Sequence, residues 1–436
     1  VILRRKTPLA CQATSQKKLL KALSLILVVL ASSWQTCFKL VAAKNVFVKN
    51  FKREFLARLA ARFNHLNYAC ASEHLQGASP PSVFVGAFGY PKVFVGPLLP
   101  EKLGDTRIMD APEQWISSSK SVQDILEYRL SLVRGKKTLN VYDDSRQAQQ
   151  MREIALSCVS PEVEATFACK PRGAFLNDDS LAFGPSAALK QFSVCNAKWD
   201  AKLEKMYYDT DATAKTAVLE LYEKSSPVSA IMRALSVGAF GLEKNRKFVP
   251  TRWSITAVDS TVSETLLEEI RFLPVLDETR VYEHASLSQK FVVILFPSQW
   301  QYDWVEAFFS PNKAREPTVF GDGEGYDKKK EYSSVGGCYY SARLAVAEKM
   351  RKEKRQGGAI VLRECYADYV PLGVWSVREC MRAALASKPA CFNDYSEAVR
   401  HAFAKLKLDP RQWVRNSRIL REGPKAQPVQ KTLTVF

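Results

Sequence analysis

A chain of 436 residues that is 47% hydrophobic and 25% charged can bury one large core or two ordinary ones, which excludes a chain disordered over most of its length. Its formal charge of +18 is concentrated at the ends: residues 1–65 carry 13 Lys/Arg against the single acid Glu54, a net +12, and residues 400–436 carry nine against two, a net +7. The remaining body has a net charge of −1, so whole-body attraction to phosphate is weaker than the total of +18 suggests, and any DNA groove in the body must be a local patch.

Residues 1–50 form a basic, acid-poor leader in which Ala22–Ala31 is apolar for about ten residues, against the roughly 20 that span a bilayer. The leader reads either as a targeting segment or as a misassigned gene start, and no stable membrane association is expected. Phe51, Phe55, Leu59 and Phe63 recur every four residues with Lys52, Arg53, Arg58 and Arg62 on other faces. This predicts an amphipathic basic helix over about 48–69, assigned to a segment 51–76 that precedes a globular body at 77–420.

The body opens with two short β runs, Ser82–Val85 and Lys92–Val95, joined through Gly86, Gly89 and Pro91. Residues 112–133 read as one helix opened by Pro112, and 142–157 as another. The polar span Ser160–Ser186 reads as a long loop, followed by helices at 209–223 and 226–239. Arg252–Val258 and Lys290–Phe296 read as strands, the latter central in its sheet because it is almost entirely apolar. Gly336-Gly337 opens a helix that runs through Lys354, and Gly357-Gly358 closes it ahead of the strand Ala359–Leu362. This order predicts an α+β or α/β fold, a mixed β-sheet flanked by helices, with flexible basic N- and C-terminal extensions. The tail at 421–436, with Pro424 and Pro428 and few apolar residues, is expected to extend from the body.

Ten cysteines at 11, 37, 70, 158, 169, 195, 338, 365, 380 and 391 include no Cys-x-x-Cys pair, and four histidines (His65, His74, His284, His401) are scattered. The spacing gives no zinc ribbon and no secreted disulfide framework, so reduced thiols and a cytoplasmic location are expected and no metal ligand is assigned.

The chain ends Gln430-Lys-Thr-Leu433-Thr-Val435-Phe436. One 3₁₀ turn there places Leu433 and Phe436 on one side to fill an apolar pocket while Gln430 hydrogen-bonds beside it. The pattern resembles the PCNA-interacting motif of sliding-clamp partners, with Val435 where a first aromatic is usual. Arg421, Lys425 and Lys431 favour an acidic partner surface.

Within the body, Gly241–Trp253 puts Lys244, Arg246, Lys247 and Arg252 beside Asn245 and Trp253, cations for phosphates and an indole for a base. A solvated loop with a core tryptophan is the plainer alternative. Gly321-Asp-Gly-Glu-Gly-Tyr326 presents Asp322 and Glu324 on what reads as a glycine-rich turn, where they and Asp259 are candidates for acid/base or cation-binding chemistry. Cys338, after Gly336-Gly337, sits where a helix N-terminus lowers a thiol pKa. Arg343, Arg355 and Arg363 either line a phosphate site or belong to ion pairs on a solvated face, with Glu348, Glu353 and Glu364 as available partners.

Longer stretches carry a family likeness: Ser79-Pro-Pro-Ser-Val-Phe-Val-Gly86, Gly89-Tyr-Pro-Lys-Val93, Asp110-Ala-Pro-Glu-Gln-Trp115, Ser236-Val-Gly-Ala-Phe-Gly241, Pro250-Thr-Arg-Trp-Ser-Ile-Thr-Ala-Val-Asp259 and Gly336-Gly-Cys-Tyr-Tyr340. In these, over about residues 77–420, the chain resembles the archaeal Nre family. The resemblance implies a role in DNA repair and a C-terminal clamp-binding motif, matched by Gln430, Leu433 and Phe436. Family members usually carry a zinc-finger-like N-terminus, from which Cys11, Cys37 and Cys70 depart in spacing. Two functions therefore stand side by side. One is a repair factor that binds DNA through Lys244, Asn245, Arg246, Lys247, Arg252, Trp253 and Arg343 and meets the clamp through its tail. The other is an enzyme acting on damaged DNA or a nucleotide adduct through Asp259, Asp322 and Glu324.

Overall fold

Short β-branched and aromatic runs punctuated by glycine and proline build the first of two six-stranded sheets. The computed structural model describes residues 72–173, 183–310 and 316–424. The leader, the predicted basic helix and the tail motif lie outside them. Strands β1 (His74–Ala78), β2 (Val83–Val85), β3 (Lys92–Leu99), β4 (Val133–Asn140), β5 (Glu162–Phe167) and β6 (Ser186–Cys195) are ordered β1-β5-β6-β4-β3-β2. Only the β4–β6 pair is parallel. Strand alternation sends Val93 and Val95 inward and leaves Lys92 and Phe94 exposed on the other face.

Three expectations are corrected in this half. The single helix predicted over 112–133 is two, α1 (Pro112–Ser117) and α2 (Val122–Leu130), followed by the start of β4. Ser121 and Asp124 form a reciprocal capping box that starts the second helix afresh after the polar Ser117–Lys120 stretch. The span read as a loop from Ser160 holds β5, whose Val163, Ala165 and Phe167 alternate into the core. The body begins earlier than 77, because β1 already pairs with β5 from His74. The helix predicted at 142–157 is α3 (Arg146–Leu156), which packs against β2, β3 and β6.

Helices α4 (Ala201–Tyr208), α5 (Ala214–Glu223), α6 (Val228–Ser236) and α7 (Thr251–Ile270) then lie between the sheets. The first of them was not expected, and its start is set by Asp200, which accepts from the N–H groups of Lys202 and Leu203. The strand predicted at Arg252–Val258 is the first two turns of α7. Locally Ile255-Thr-Ala-Val258 favours a strand, but Ser254, Val258, Val262 and Leu266 repeat at a spacing of four and all are buried, so packing of a 20-residue helix overrides propensity.

The second sheet contains β7 (Thr279–Ser286), β8 (Gln289–Phe296), β9 (Gln301–Phe308), β10 (Thr318–Glu324), β11 (Gly358–Cys365) and β12 (Ala390–Phe392), ordered β10-β9-β11-β8-β7-β12. Only β9 and β11 run parallel. Helices α8 (Gly337–Glu353) and α9 (Trp375–Ala386) cover one face, and α10 (Tyr395–Ala404), α11 (Pro410–Asn416) and α12 (Arg418–Glu422) the other. This explains the apolar run of β8: Phe291, Val293 and Leu295 enter the main core while Val292, Ile294 and Phe296 enter a second one around Trp413. Each such side chain contributes roughly 1.5–3 kcal/mol on burial. The main core runs without a break from β2 and β3 to α9, so the two sheets share it.

The glycine-rich segment Gly321–Tyr326 is corrected from a turn to a strand over most of its length. β10 ends at Glu324, with Asp322 opposite Trp304 and Glu324 opposite Tyr302. Its glycines permit close approach: a Cβ on Gly321 would stand 2.3 Å from the Asn416 carbonyl oxygen, and one on Gly323 2.0 Å from Asp303 Oδ1.

Candidate nucleic-acid interface

The β2–β3 connection turns at Gly89, whose φ of +83° favours glycine and where a Cβ would come within 2.8 Å of the Lys92 carbonyl oxygen. The turn projects Phe88, 86% exposed, and Tyr90. Backbone hydrogen bonds tie this tip to two other segments. Val141 N–H donates to the Pro91 carbonyl at 2.9 Å, and Phe248 N–H donates to the Val141 carbonyl at 2.8 Å. The first turn of α7 locks onto β2 where Val85 N–H donates to Thr251 Oγ1 at 3.0 Å.

Aromatic and cationic side chains from three distant parts of the sequence therefore meet. The Tyr90 and Trp253 rings are 5.6 Å apart at 46°. Lys247 Nζ stands 5.7 Å from the ring centre of Tyr142, itself 61% exposed. Lys244, Asn245 and Arg252 are exposed, Lys247 and Trp253 half-buried. Exposed rings beside cations can stack on unpaired bases while the cations hold phosphates.

Two predicted binding residues stand apart. Arg246 donates to the carbonyl oxygens of Gly241 (2.8 Å), Tyr207 (2.6 Å) and Asp209 (2.8 Å), so its guanidinium fastens the loop to the end of α4. Arg343 is 2% exposed and pairs with Glu324 at 2.9 Å while donating to Ser263 Oγ at 3.1 Å. Phe88, Tyr90 and Tyr142 belong to the surface and were missed. Phe88 was legible, since a phenylalanine inside Gly86-Ala-Phe-Gly-Tyr-Pro91 sits on a turn with no core to enter.

The three carboxylates proposed for catalysis belong to separate ion pairs. Asp259, fully buried on α7, takes both oxygens to Arg378 Nη1 (2.9 and 3.0 Å) and accepts from Ser341 Oγ at 2.5 Å. Asp322 accepts from Lys329 Nζ (2.9 Å), Ser333 Oγ (2.7 Å) and Ser334 N–H (2.9 Å). Burial pushes its carboxyl up, but these partners outweigh it and hold the group below the usual carboxylate range. Glu324 accepts from Trp300 Nε1 (3.0 Å), Tyr339 Oη (2.9 Å) and Arg343. Among the described residues no group of three or more His, Cys, Asp or Glu could hold a metal ion.

Of the other candidates, Cys338 is half-buried at the start of α8 with Arg363 Nη1 3.8 Å from its sulfur. Arg363 is buried and pairs with Glu306 at 2.8 Å, and Arg355 pairs with Asp277 at 3.0 Å. The arginines are thus ion-paired, though with different acids from those proposed: Glu348 meets Arg382, Glu353 meets Arg280, and Glu364 accepts from the N–H groups of Lys407 and Leu408.

Comparison with known proteins gives this geometry a family. Residues 52–312 match the family model described as Archaeal Nre, N-terminal, and residues 324–436 match Archaeal Nre, C-terminal. The chain is 41% identical over 366 residues to a protein named DNA repair protein NreB from Archaeoglobus fulgidus, covering 83% of this chain and 91% of that one. It is 33% identical over 365 residues to DNA repair protein NreA of the same organism, covering 81% and 90%. A third relative, DNA repair protein NreA from Haloferax volcanii, is 32% identical over 345 residues, covering 75% and 82%. No solved structure matches. No helix among the described residues is long and apolar enough to cross a membrane. By the extent of both family models and of these relatives, the chain belongs to the archaeal Nre family, whose members found here are named as DNA repair proteins.

Proposed function

We propose that this protein acts in DNA repair by binding DNA at the surface formed by Phe88, Tyr90, Tyr142, Lys244, Asn245, Lys247, Arg252 and Trp253, and is recruited by the sliding clamp through Gln430, Leu433, Val435 and Phe436. The observation that carries the DNA contact is the meeting of Tyr90 and Trp253, 5.6 Å apart, beside exposed cations on a body that is otherwise nearly neutral. Arg246 and Arg343 are left out because protein oxygens already occupy their guanidiniums. The clamp contact rests on the spacing of the last seven residues and on the family resemblance. Catalysis by Asp259, Asp322 or Glu324 is the weaker reading, since each carboxylate is already bound to a cation of its own.

The test titrates the full chain, and the chain lacking Gln430–Phe436, against the sliding clamp and against single-stranded and duplex DNA over a salt series. Loss of clamp binding on deletion, with salt-dependent DNA binding retained, is the expected result. Indifference of both proteins to the clamp removes the recruitment reading, and absence of DNA binding at low salt removes the DNA reading.

A further inference from the structure

Two buried arginines, Arg129 on α2 and Arg134 on β4, repel each other, and the half-buried Arg233 of α6 shares with Arg129 the field of Asp110, with Glu113 also close to Arg233. Arg129 donates to Asp110 Oδ1 at 2.6 Å, and both residues are buried. Arg233 is drawn to Asp110 and Glu113, yet its Nη1 reaches only Ser229 Oγ at 3.5 Å and its Nε has no hydrogen-bond partner. Glu113 is engaged elsewhere, accepting from Ser229 N–H at 2.8 Å and from its hydroxyl at 2.9 Å.

Arg134 is the unbalanced member. It is 9% exposed, its Nε has no hydrogen-bond partner, and among the described residues no carboxylate lies within ion-pair distance of it. Its guanidinium carbon is 4.4 Å from the ring centre of Phe84 and 4.5 Å from that of Phe183. Lys136, half-buried and two residues along on the same face of β4, adds a second cation rather than a counter-charge. Burial and repulsion from Arg129 pull the Arg134 guanidinium down to about 10, and burial and Arg134 in turn lower the Lys136 ammonium. Phenyl rings satisfy the faces of a guanidinium through the ring quadrupole but give nothing to its in-plane N–H groups. Those form a flat fork that matches two oxygens of a phosphoryl group.

We propose that Arg134, with Lys136 beside it, forms a recessed site for a terminal phosphoryl group, held by the guanidinium fork between Phe84 and Phe183. Two neighbouring cations that pair with no carboxylate among the described residues suit a phosphate monoester dianion better than the single charge of a phosphodiester. The ligand is either the phosphorylated end of a DNA strand or a free mononucleotide. The site uses none of the residues assigned above to DNA contact. Its failure and the failure of that surface are therefore separable.

The experiment follows thermal unfolding of the full chain with inorganic phosphate, adenosine monophosphate, and oligonucleotides bearing a 5′-phosphate, a 3′-phosphate or hydroxyl ends. Wild type is expected to gain stability with phosphate. Arg134→Met, which keeps the shape and removes the charge, is expected to show no phosphate response and to be at least as stable as wild type without it. Arg134→Lys keeps the charge and loses the fork, and phosphate affinity is expected to fall at least tenfold. A 5′- or 3′-phosphorylated strand binding at least tenfold tighter than its hydroxyl-ended counterpart, in wild type and not in Arg134→Met, identifies a strand end. A preference for the mononucleotide over both identifies a free nucleotide. The proposal is overturned if phosphate shifts wild type and Arg134→Met equally, if Arg134→Lys binds phosphate as wild type does, or if no phosphorylated probe is preferred.

Discussion

Replacing Lys244, Lys247 and Arg252 together with alanine removes three cations from one edge of the molecule, where Lys244 and Arg252 are exposed and Lys247 half-buried. Each phosphate contact on single-stranded DNA contributes about 0.7 to the slope of log affinity against log salt, so the slope should fall by about 2; on a duplex, at about 0.9 per contact, by about 3. The same relation makes the loss about 100-fold at 0.1 M salt on single strands, vanishing toward 1 M. Fluorescence anisotropy with a labelled thymidine 20-mer from 50 to 400 mM salt measures it. Trp253→Leu, by contrast, should lower affinity by about 1–3 kcal/mol with little change in slope, because stacking is not a counterion effect. Far-UV circular dichroism and melting temperature establish that both variants are folded. Parallel salt plots for wild type and a folded triple variant would refute the assignment of these cations to phosphate.

Three further outcomes follow from the geometry. Arg246→Ala should leave the salt slope within about 0.3 of wild type but lower stability by roughly 2 kcal/mol in urea unfolding, since three carbonyls lose their donor. A slope reduced by a full contact would place Arg246 on the DNA instead. Glu324→Gln leaves the Arg343 guanidinium buried without its nearest charge and should cost roughly 3 kcal/mol, the lower end for a broken buried pair because Glu264 lies 3.7 Å away; a loss under 1 kcal/mol contradicts this. Asp303 is pushed above the usual carboxylate range by burial, despite Ser417 Oγ (2.6 Å), Ile419 N–H (2.8 Å) and the charge of Arg418. Its folded form therefore binds a proton more tightly than the unfolded chain, and stability falls as pH rises from the unfolded carboxylate pKa through the folded one. Asp303→Asn removes that dependence, so it should be more stable than wild type at pH 7–8 by on the order of 1 kcal/mol, seen as a higher melting temperature, and converge with wild type near pH 4. A wild type that gains stability across the same range reverses the assignment.

Family membership was legible from long motifs such as Pro250–Asp259 and Gly336–Tyr340, because matches of that length in that order rarely arise by chance. The mixed sheet flanked by helices was legible too, through the apolar run of β8 and the glycines that bracket α8. Local pattern failed where one signal admitted two structures. Ile255–Val258 has the composition of a strand, and only the buried stripe continuing to Ile270 shows it to be the start of a helix. Gly321–Gly325 has the composition of a turn, yet most of it is an edge strand, its glycines demanded by Asn416 and Asp303 from elsewhere in the chain.

The chain alone determined where charge lies, a nearly neutral body between basic ends, and that Lys244 to Trp253 is rich in cations, since these are properties of composition and order. It could not determine which cations face solvent. Arg246 and Arg343 resemble their neighbours in sequence, but the carbonyls of Gly241, Tyr207 and Asp209 and the buried carboxylate of Glu324 claim them. Only the tertiary structure brings Tyr90 to Trp253 and Tyr142 to Lys247, and sets Arg134 between two rings with no carboxylate paired to it among the described residues. Whether a charge is available depends on partners supplied by segments tens to hundreds of residues away, and no local pattern encodes their distance.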